Sequence, residues 1–390
     1  MSQEEQTSFP DGVRQEVEAA LSARFGGRVS VAAADHFKPS FVFRCALEQS
    51  GRGAAPETVI VRVPREGLAR AGVAGLHRER AALEHLAALG SGLAPRLLAV
   101  GAGFLITEDL GAGPSLLDLL LGRDAEAARS GLIAFARHLG TLHAETARRP
   151  EILPAALPVV RVPVAVYWEA ARHAAALLGL PAPAQVDGDI EALAGLLAEP
   201  DCLALSSGDA SVVNCKVVGD EVRFFDFEDA CVRHPLVDAA VLRFPSPTGA
   251  PFWRLPPAVA LSFESAYRAA RPDLPDDDYY ERGLAASCAA WTVLRLMRLP
   301  RVDAGPDRDA WPLLPPDWSG PPPARSRRGQ LVATLETCRA SLRRADAFGA
   351  LADWFGRLED LLRERWPEAS EPLPLFPAFS AEGALETPPG

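Results

Sequence analysis

Residues 207–229, SGDASVVNCKVVGDEVRFFDFED, decide how the rest of the chain is read. Gly219 and Asp220 are a two-residue turn signal between apolar runs, the mark of a tight β-hairpin. With those two at the tip, Val218 faces Glu221, and counting back places Asn214 opposite Phe225, with Asp226 one residue further on. Opposed Cα atoms in such a ladder lie about 5 Å apart, so an amide oxygen and a carboxylate converge where one hard cation touches both. Asp209 lies just upstream of that point. Mg²⁺ uses one or two protein oxygens together with substrate phosphates, and a nearby carboxylate can accept a hydroxyl proton, so the stretch holds the parts of a phosphoryl-transfer site. A lone hairpin would carry these residues as turn formers. Three oxygen ligands converging by register between strongly apolar flanks favour a site.

Outward from the hairpin, the chain divides in two. The first part predicts strands at VSVAAA from Val29, FVFRCALE over 41–48 and TVIVRV over 58–63, paired antiparallel, with RLLAV and GFLITEDLG as two more. Between them, Leu76, Leu83 and Leu86 share one face of a helix that Gly90 and Gly92 end, and Glu79 lies on that apolar stripe. The turn GAGP over 111–114 marks the boundary between lobes. Beyond it the pattern is helical: LLDLLL, GLIAFARHLGTLHAETA, LSFESAYRAA, ERGLAASCAAWTVLRLM and ADAFGALADWFGRLEDLLRERW. The acids of PDDDYYER cap the helix beginning there. The Pro- and Trp-rich stretch 301–325 reads as a long irregular loop, a functional lid or disorder. The expected fold class is α+β and two-lobed: an N-terminal helical extension (1–27), a small antiparallel-sheet lobe (28–110), a large helical lobe (111–371) and a mobile tail (372–390).

Composition narrows the chemistry. The chain has 390 residues, 48% of them hydrophobic and 23% charged, which excludes wholesale disorder, collagen and coiled coil. A net charge of −11 repels nucleic acid and anionic membrane surfaces and more readily accommodates a cationic or neutral partner. The only lysines are Lys38 and Lys216, and neither follows a glycine as a phosphate-binding P-loop requires. Six cysteines without a C-x-x-C pair give neither a zinc knuckle nor a secreted disulfide framework and suit a reducing cytoplasm. The N-terminus lacks the apolar core of a signal peptide, and no uncharged run is long enough to span a membrane. His138 and His143 are five apart, not four, so they are packing or surface residues rather than a metal pair. ARSRRG over 324–329 reads as a solvated basic patch.

Together these residues resemble the aminoglycoside phosphotransferase and choline kinase-like enzymes, relatives of the protein kinases, over roughly residues 28–300. SGDASVVN resembles that family's catalytic loop, FFDFED its metal-binding Asp motif, and HPLVDAA over 234–240 the motif that follows. The resemblance implies a two-lobed kinase-like fold clasping Mg-ATP, with Asp209 as catalytic base and Asn214 and Asp226 as magnesium ligands. It further implies that Arg62, in VIVRVP, contacts the ATP phosphates and pairs with Glu79, and that ITEDLG over 106–111, with Glu108 and Leu110, offers backbone groups to adenine. Two departures stand out. The family has a His two residues before the catalytic Asp, where this chain has Ser207, and its glycine-rich loop corresponds to DHFKPSF over 35–41, which has no glycine but offers Lys38 as a phosphate contact. The implied activity is ATP- and Mg²⁺-dependent transfer of a phosphoryl group to a hydroxyl of a small molecule. The alternative is a pseudokinase, a nucleotide-binding or interaction module without turnover.

Overall fold

The structure, a computed structural model, describes residues 9, 11–37, 41–50, 54–64, 72–147, 153–244, 253–305 and 327–380. Helix α1 (Asp11–Phe25) leads into strands β1 (Arg28–Phe37), β2 (Val42–Ser50) and β3 (Thr58–Arg62), then helix α2 (Val73–Ala88) and strands β4 (Leu97–Gly101) and β5 (Phe104–Glu108). The strands form one antiparallel sheet in the order β1-β2-β3-β5-β4. Alternation along each strand gives the sheet two different faces. Phe43, Cys45, Val59, Val61 and Ile106 point to one side, where Val17 and Leu21 of α1 close a small core. Val42, Arg44, Ile60, Arg62, Leu105 and Thr107 point to the other, toward the second lobe.

The large lobe begins with α3 (Leu116–Leu121), capped by Ser115 and Asp118 in a reciprocal capping box, and α4 (Ala125–Thr146). Helices α5 (Val164–Leu177) and α6 (Ala184–Leu197) follow, then β6 (Ala204–Ser206), the hairpin β7 (Cys215–Val218) and β8 (Glu221–Phe224), and β9 (Cys231–Arg233), which pairs with β6. The chain ends in α7 (Leu236–Ala239), α8 (Pro257–Ala269), α9 (Asp277–Leu296), α10 (Leu299–Ala304), α11 (Arg327–Arg344) and α12 (Gly349–Arg365). One core surrounds α4, whose Leu132, Phe135 and Leu139 are buried against Phe224, Phe263 and the inner face of α2. A second gathers α5, α6, α9, α11 and α12 around Trp168 and Trp354, whose rings meet edge to face at 5.0 Å.

Several expectations need correction. Helices α5, α6 and α11 go beyond the helices expected from apolar periodicity. They are legible only through their partners, since most of their stability comes from packing into the second core. The tail expected to be mobile from Pro372 is packed as far as Ser380. Leu375 bridges to Arg254, and Phe376 is buried with its ring stacked on Trp253 at 5.5 Å. The basic patch at 324–329 is partly structural: Arg328, in the first turn of α11, pairs with Glu368 at 2.7 Å and lies over the Trp366 ring. The start of the expected irregular loop, 301–304, ends α10, and most of the remainder lies outside the described residues. Asp276 caps α9 by accepting from the Tyr279 backbone N–H, as the acidic run predicts. No described helix is long and apolar enough to cross a membrane.

Candidate active site

The inward face of the small sheet roofs a cavity of about 270 Å³, whose floor is Lys216, Phe225, Asp226 and Phe227 of the large lobe. Arg62 leaves the end of β3 into this space. Its Nε lies 2.8 Å from Glu79, which α2 carries inward on the stripe of Leu76, Leu83 and Leu86. The contact is electrostatic rather than an aligned hydrogen bond, and the buried Glu79 Oε2 has no hydrogen-bond partner among the described residues. The two terminal nitrogens of the same guanidinium cross to the large lobe, Nη2 donating to Asp226 at 2.8 Å and Nη1 to Glu228 at 2.7 Å.

On the opposite wall the hairpin has the register counted from its tip. Val218 pairs with Glu221 and Cys215 with Phe224, and the Phe225 N–H donates to the Asn214 carbonyl at 3.0 Å. Asp226 follows with φ of 66°, a left-handed backbone that a short polar side chain tolerates at a cost of about 1 kcal/mol. The Asn214 side-chain N–H donates to the Asp209 carbonyl at 3.1 Å, which ties the catalytic-loop candidate to the hairpin and leaves the amide oxygen for other use. Gly208, at φ of 88°, packs so closely that a Cβ there would lie 2.0 Å from the Asp229 carbonyl oxygen, so the residue before Asp209 has to be glycine.

Three carboxylates share one guanidinium. Burial raises Glu79 against the opposing pull of Arg62, and with Asp226 and Glu228 adding to the rise its carboxyl is pushed up to about 7. Burial and Asp226 also raise Glu228. Burial works against the Arg62 cation, but Glu79, Asp226 and Glu228 outweigh it and hold its pKa above the ordinary arginine value. The cluster thus carries more negative than positive charge, at the end of the hairpin that the register sets against Asn214. An oxygen-only donor set with surplus negative charge fits a hard divalent cation such as Mg²⁺.

The cavity therefore brings together Arg62, Glu79 and Asp226, with Asn214 and Asp209 on the adjoining loop. Leu110 lines it at the lobe boundary. Glu108 lines it too, but its carboxylate is committed to Arg96 and Arg223; burial opposes these, yet they hold the carboxyl below the usual range. Lys38 lies outside the described residues. Residues not anticipated also converge. Arg78 donates from Nε to the Glu228 carbonyl at 2.6 Å. Arg44 holds Asp109 at 2.6 Å and the Gly111 carbonyl at 3.0 Å, a carbonyl to which Lys216 also donates. Arg44, the one basic residue of β2, alternating with the apolar Phe43 and Cys45, was the available signal there, and Glu228 was visible as the second acid of DFED.

No family model and no curated protein matches the sequence. Solved structures resemble the chain. A candidate aminoglycoside phosphotransferase from Ralstonia eutropha JMP134 superposes with a TM-score of 0.51 at 16% identity, over 88% of this chain and 98% of the other. The chain has a kinase-like fold. A choline/ethanolamine kinase family protein from Mesorhizobium loti is also similar, with a TM-score of 0.43 at 15% identity over 90% of this chain and 99% of the other. So is a macrolide 2′-phosphotransferase from Brachybacterium faecium, with a TM-score of 0.43 at 18% identity over 75% of this chain and 92% of the other.

Proposed function

We propose that this chain is a small-molecule kinase, transferring the γ-phosphoryl group of ATP to a hydroxyl of an acceptor. The observation that carries the reading is the meeting of Arg62 and Glu79 from one lobe with Asp226 from the other at a cavity of about 270 Å³, with Asn214 and Asp209 beside it. In this reading the backbone around Glu108 and Leu110 meets the base, and Arg62 binds phosphate through its fork while Glu79 orients it. Asn214 and Asp226 would hold Mg²⁺, with Glu228 adding negative charge nearby. The bound ion would neutralise charge on the phosphates. Asp209 accepts the proton of the attacking hydroxyl, and its position on a loop tied down at Asn214 keeps the base aligned. The acidic surroundings suit a cationic or neutral acceptor. All six cysteines are free, in keeping with a reducing compartment.

Two measurements test the reading. Mg-ATP should raise the melting temperature, and a screen of small hydroxyl compounds should find one that accelerates ATP consumption. A nucleotide-induced shift with no turnover across the screen would instead support the pseudokinase alternative, and no shift at all would remove both.

A further inference from the structure

The loop carrying Asp209 lacks the histidine that the resembled family has at position 207, and Ser207, though 5% exposed, does not replace it chemically. A different residue reaches the same backbone. Arg233, at the end of β9, donates from Nη2 to the Gly208 carbonyl at 3.1 Å, one peptide from Asp209. We propose that Arg233 is the positioning residue that holds the catalytic loop of this chain, taking over from a neighbouring strand the support the family draws from histidine.

The surroundings of Arg233 suit a fixed strut. Its Nε donates to Asp238 at 2.9 Å, and Nη2 bonds the same carboxylate oxygen; the side chains of Arg233 and Asp238 are 9% and 0% exposed. Asp238 is in turn approached by His143 Nε2 at 3.2 Å, and His143 Nδ1 meets the Tyr267 hydroxyl at 2.8 Å. Arg271 donates to that hydroxyl at 2.9 Å and pairs with Asp273 at 2.7 Å. The partners fix the direction of the chain. Arg271 donates to Tyr267, Tyr267 to neutral His143, and His143 to Asp238, which also receives Arg233. Burial lowers the pKa of His143, consistent with a neutral ring, and although burial opposes Asp238, Arg233 and His143 bring its carboxyl down to about 2. The array thus runs from α8 through α4 and α7 to the loop.

The Gly208 N–H and the carbonyls on both sides of the base are then engaged. The Gly208 N–H donates to Ser206 Oγ at 2.9 Å, its carbonyl accepts from Arg233, and the Asp209 carbonyl accepts from the Ser211 N–H at 2.9 Å and from Asn214. Since the Gly208 conformation is already left-handed and its Cα is pressed against Asp229, the peptide joining Gly208 to Asp209 has one orientation while Arg233 holds its carbonyl. Removing that hold frees the rotation that aims Asp209. A misplacement of 1 Å in such a group costs about 100-fold in rate.

This proposal rests on the reading of Asp209 as the base, so its test needs one readout that requires no catalysis. Arg233→Ala strips a buried carboxylate of its cation and threatens the fold, so the informative variant is Arg233→Lys, which keeps the charge and loses the fork. Amide hydrogen exchange across 207–214 should be faster in Arg233→Lys, with exchange across 97–108 unchanged. In a wild type found active in the acceptor screen, the variant should lower kcat by about 10- to 100-fold with KM for ATP within about twofold. Adding Ser207→His to Arg233→Lys should recover most of the lost kcat and restore protection of the loop. Faster loop exchange in a protein inactive across the screen would support the strut while counting against the kinase reading. Unchanged loop exchange with unchanged kcat would overturn the strut, and absence of any rescue by Ser207→His would overturn the equivalence with the family's histidine.

Discussion

Arg62 and Arg233 each tie elements of the site together, and they do so under opposite electrostatic conditions. Arg233 faces one carboxylate, Asp238, with both side chains at most 9% exposed and a neutral histidine also bonded to that carboxylate. Arg62 faces three carboxylates, of which Asp226 is 31% and Glu228 22% exposed. A one-to-one buried pair has a single low-energy arrangement, and breaking it strands a charge in low dielectric. A cation shared among an excess of acids can exchange one partner for another, or for a phosphate, with little loss. One arginine is therefore placed to stay and the other to be rearranged when ligand arrives.

The two clusters should respond differently to removal of an acid. Asp238→Ala should cost about 3 to 5 kcal/mol by urea denaturation, because Arg233 is left buried and unpaired. Asp226→Ala should cost at most about 1 kcal/mol, since Glu79 and Glu228 still neutralise Arg62, yet it should abolish any magnesium-dependent stabilisation by ATP in a thermal-shift assay. Comparable destabilisation by the two variants would erase the contrast. Between the clusters stands Asp209, and Asp209→Asn should leave ATP binding intact while lowering turnover about 10²- to 10⁴-fold; equal single-turnover rates for variant and wild type would remove it as the base.

Smaller effects sharpen the picture at Arg62. Arg62→Ala should weaken ATP binding about ten- to hundredfold by calorimetric titration, the loss of one charge-assisted contact of about 1.5 to 3 kcal/mol. Glu79→Ala should weaken it less, and the double variant should fall short of the sum of the two, since Glu79 acts through Arg62. Fully additive losses would show that the pair does not act as a unit. The last effect is on pH. Glu79 has a folded pKa of about 7, above its unfolded value, so the native state holds the proton that the unfolded chain has already released. Stability is then greatest below about pH 4.5 as far as this group is concerned, and falls as pH rises to 7. Without nucleotide, the wild type should lose about 2 kcal/mol more than Glu79→Gln between pH 5 and 7.5. Parallel stability profiles would assign the slope elsewhere.

Legibility in the sequence followed separation along the chain. The hairpin register could be counted from Gly219-Asp220, because strand alternation and the turn are local properties, and that count alone brought Asn214 and Asp226 to one end. Glu79 stood out on an apolar helical stripe, where a carboxylate needs a partner, and Arg62 was the only basic residue of its strand, its role implied by the family resemblance. Local periodicity likewise marked the five strands of the small sheet and helices α3, α4, α8, α9 and α12.

Tertiary structure alone decided the partners. Arg62 meets Asp226 and Glu228 across more than 160 residues, and Arg233 meets Gly208 across 25. An arginine carries no mark of which carboxylate or carbonyl will face it, because charge is not directional along the sequence and 40 basic residues offer too many pairings. The same reason hid the role of His143, which spacing classed as a packing residue and which is bonded to Tyr267 and Asp238 from distant helices. The order of the tail through Ser380 followed from Phe376 finding Trp253, a contact between aromatic residues more than 120 positions apart. Periodicity determined which face each element would bury; the fold determined what each buried charge would find there.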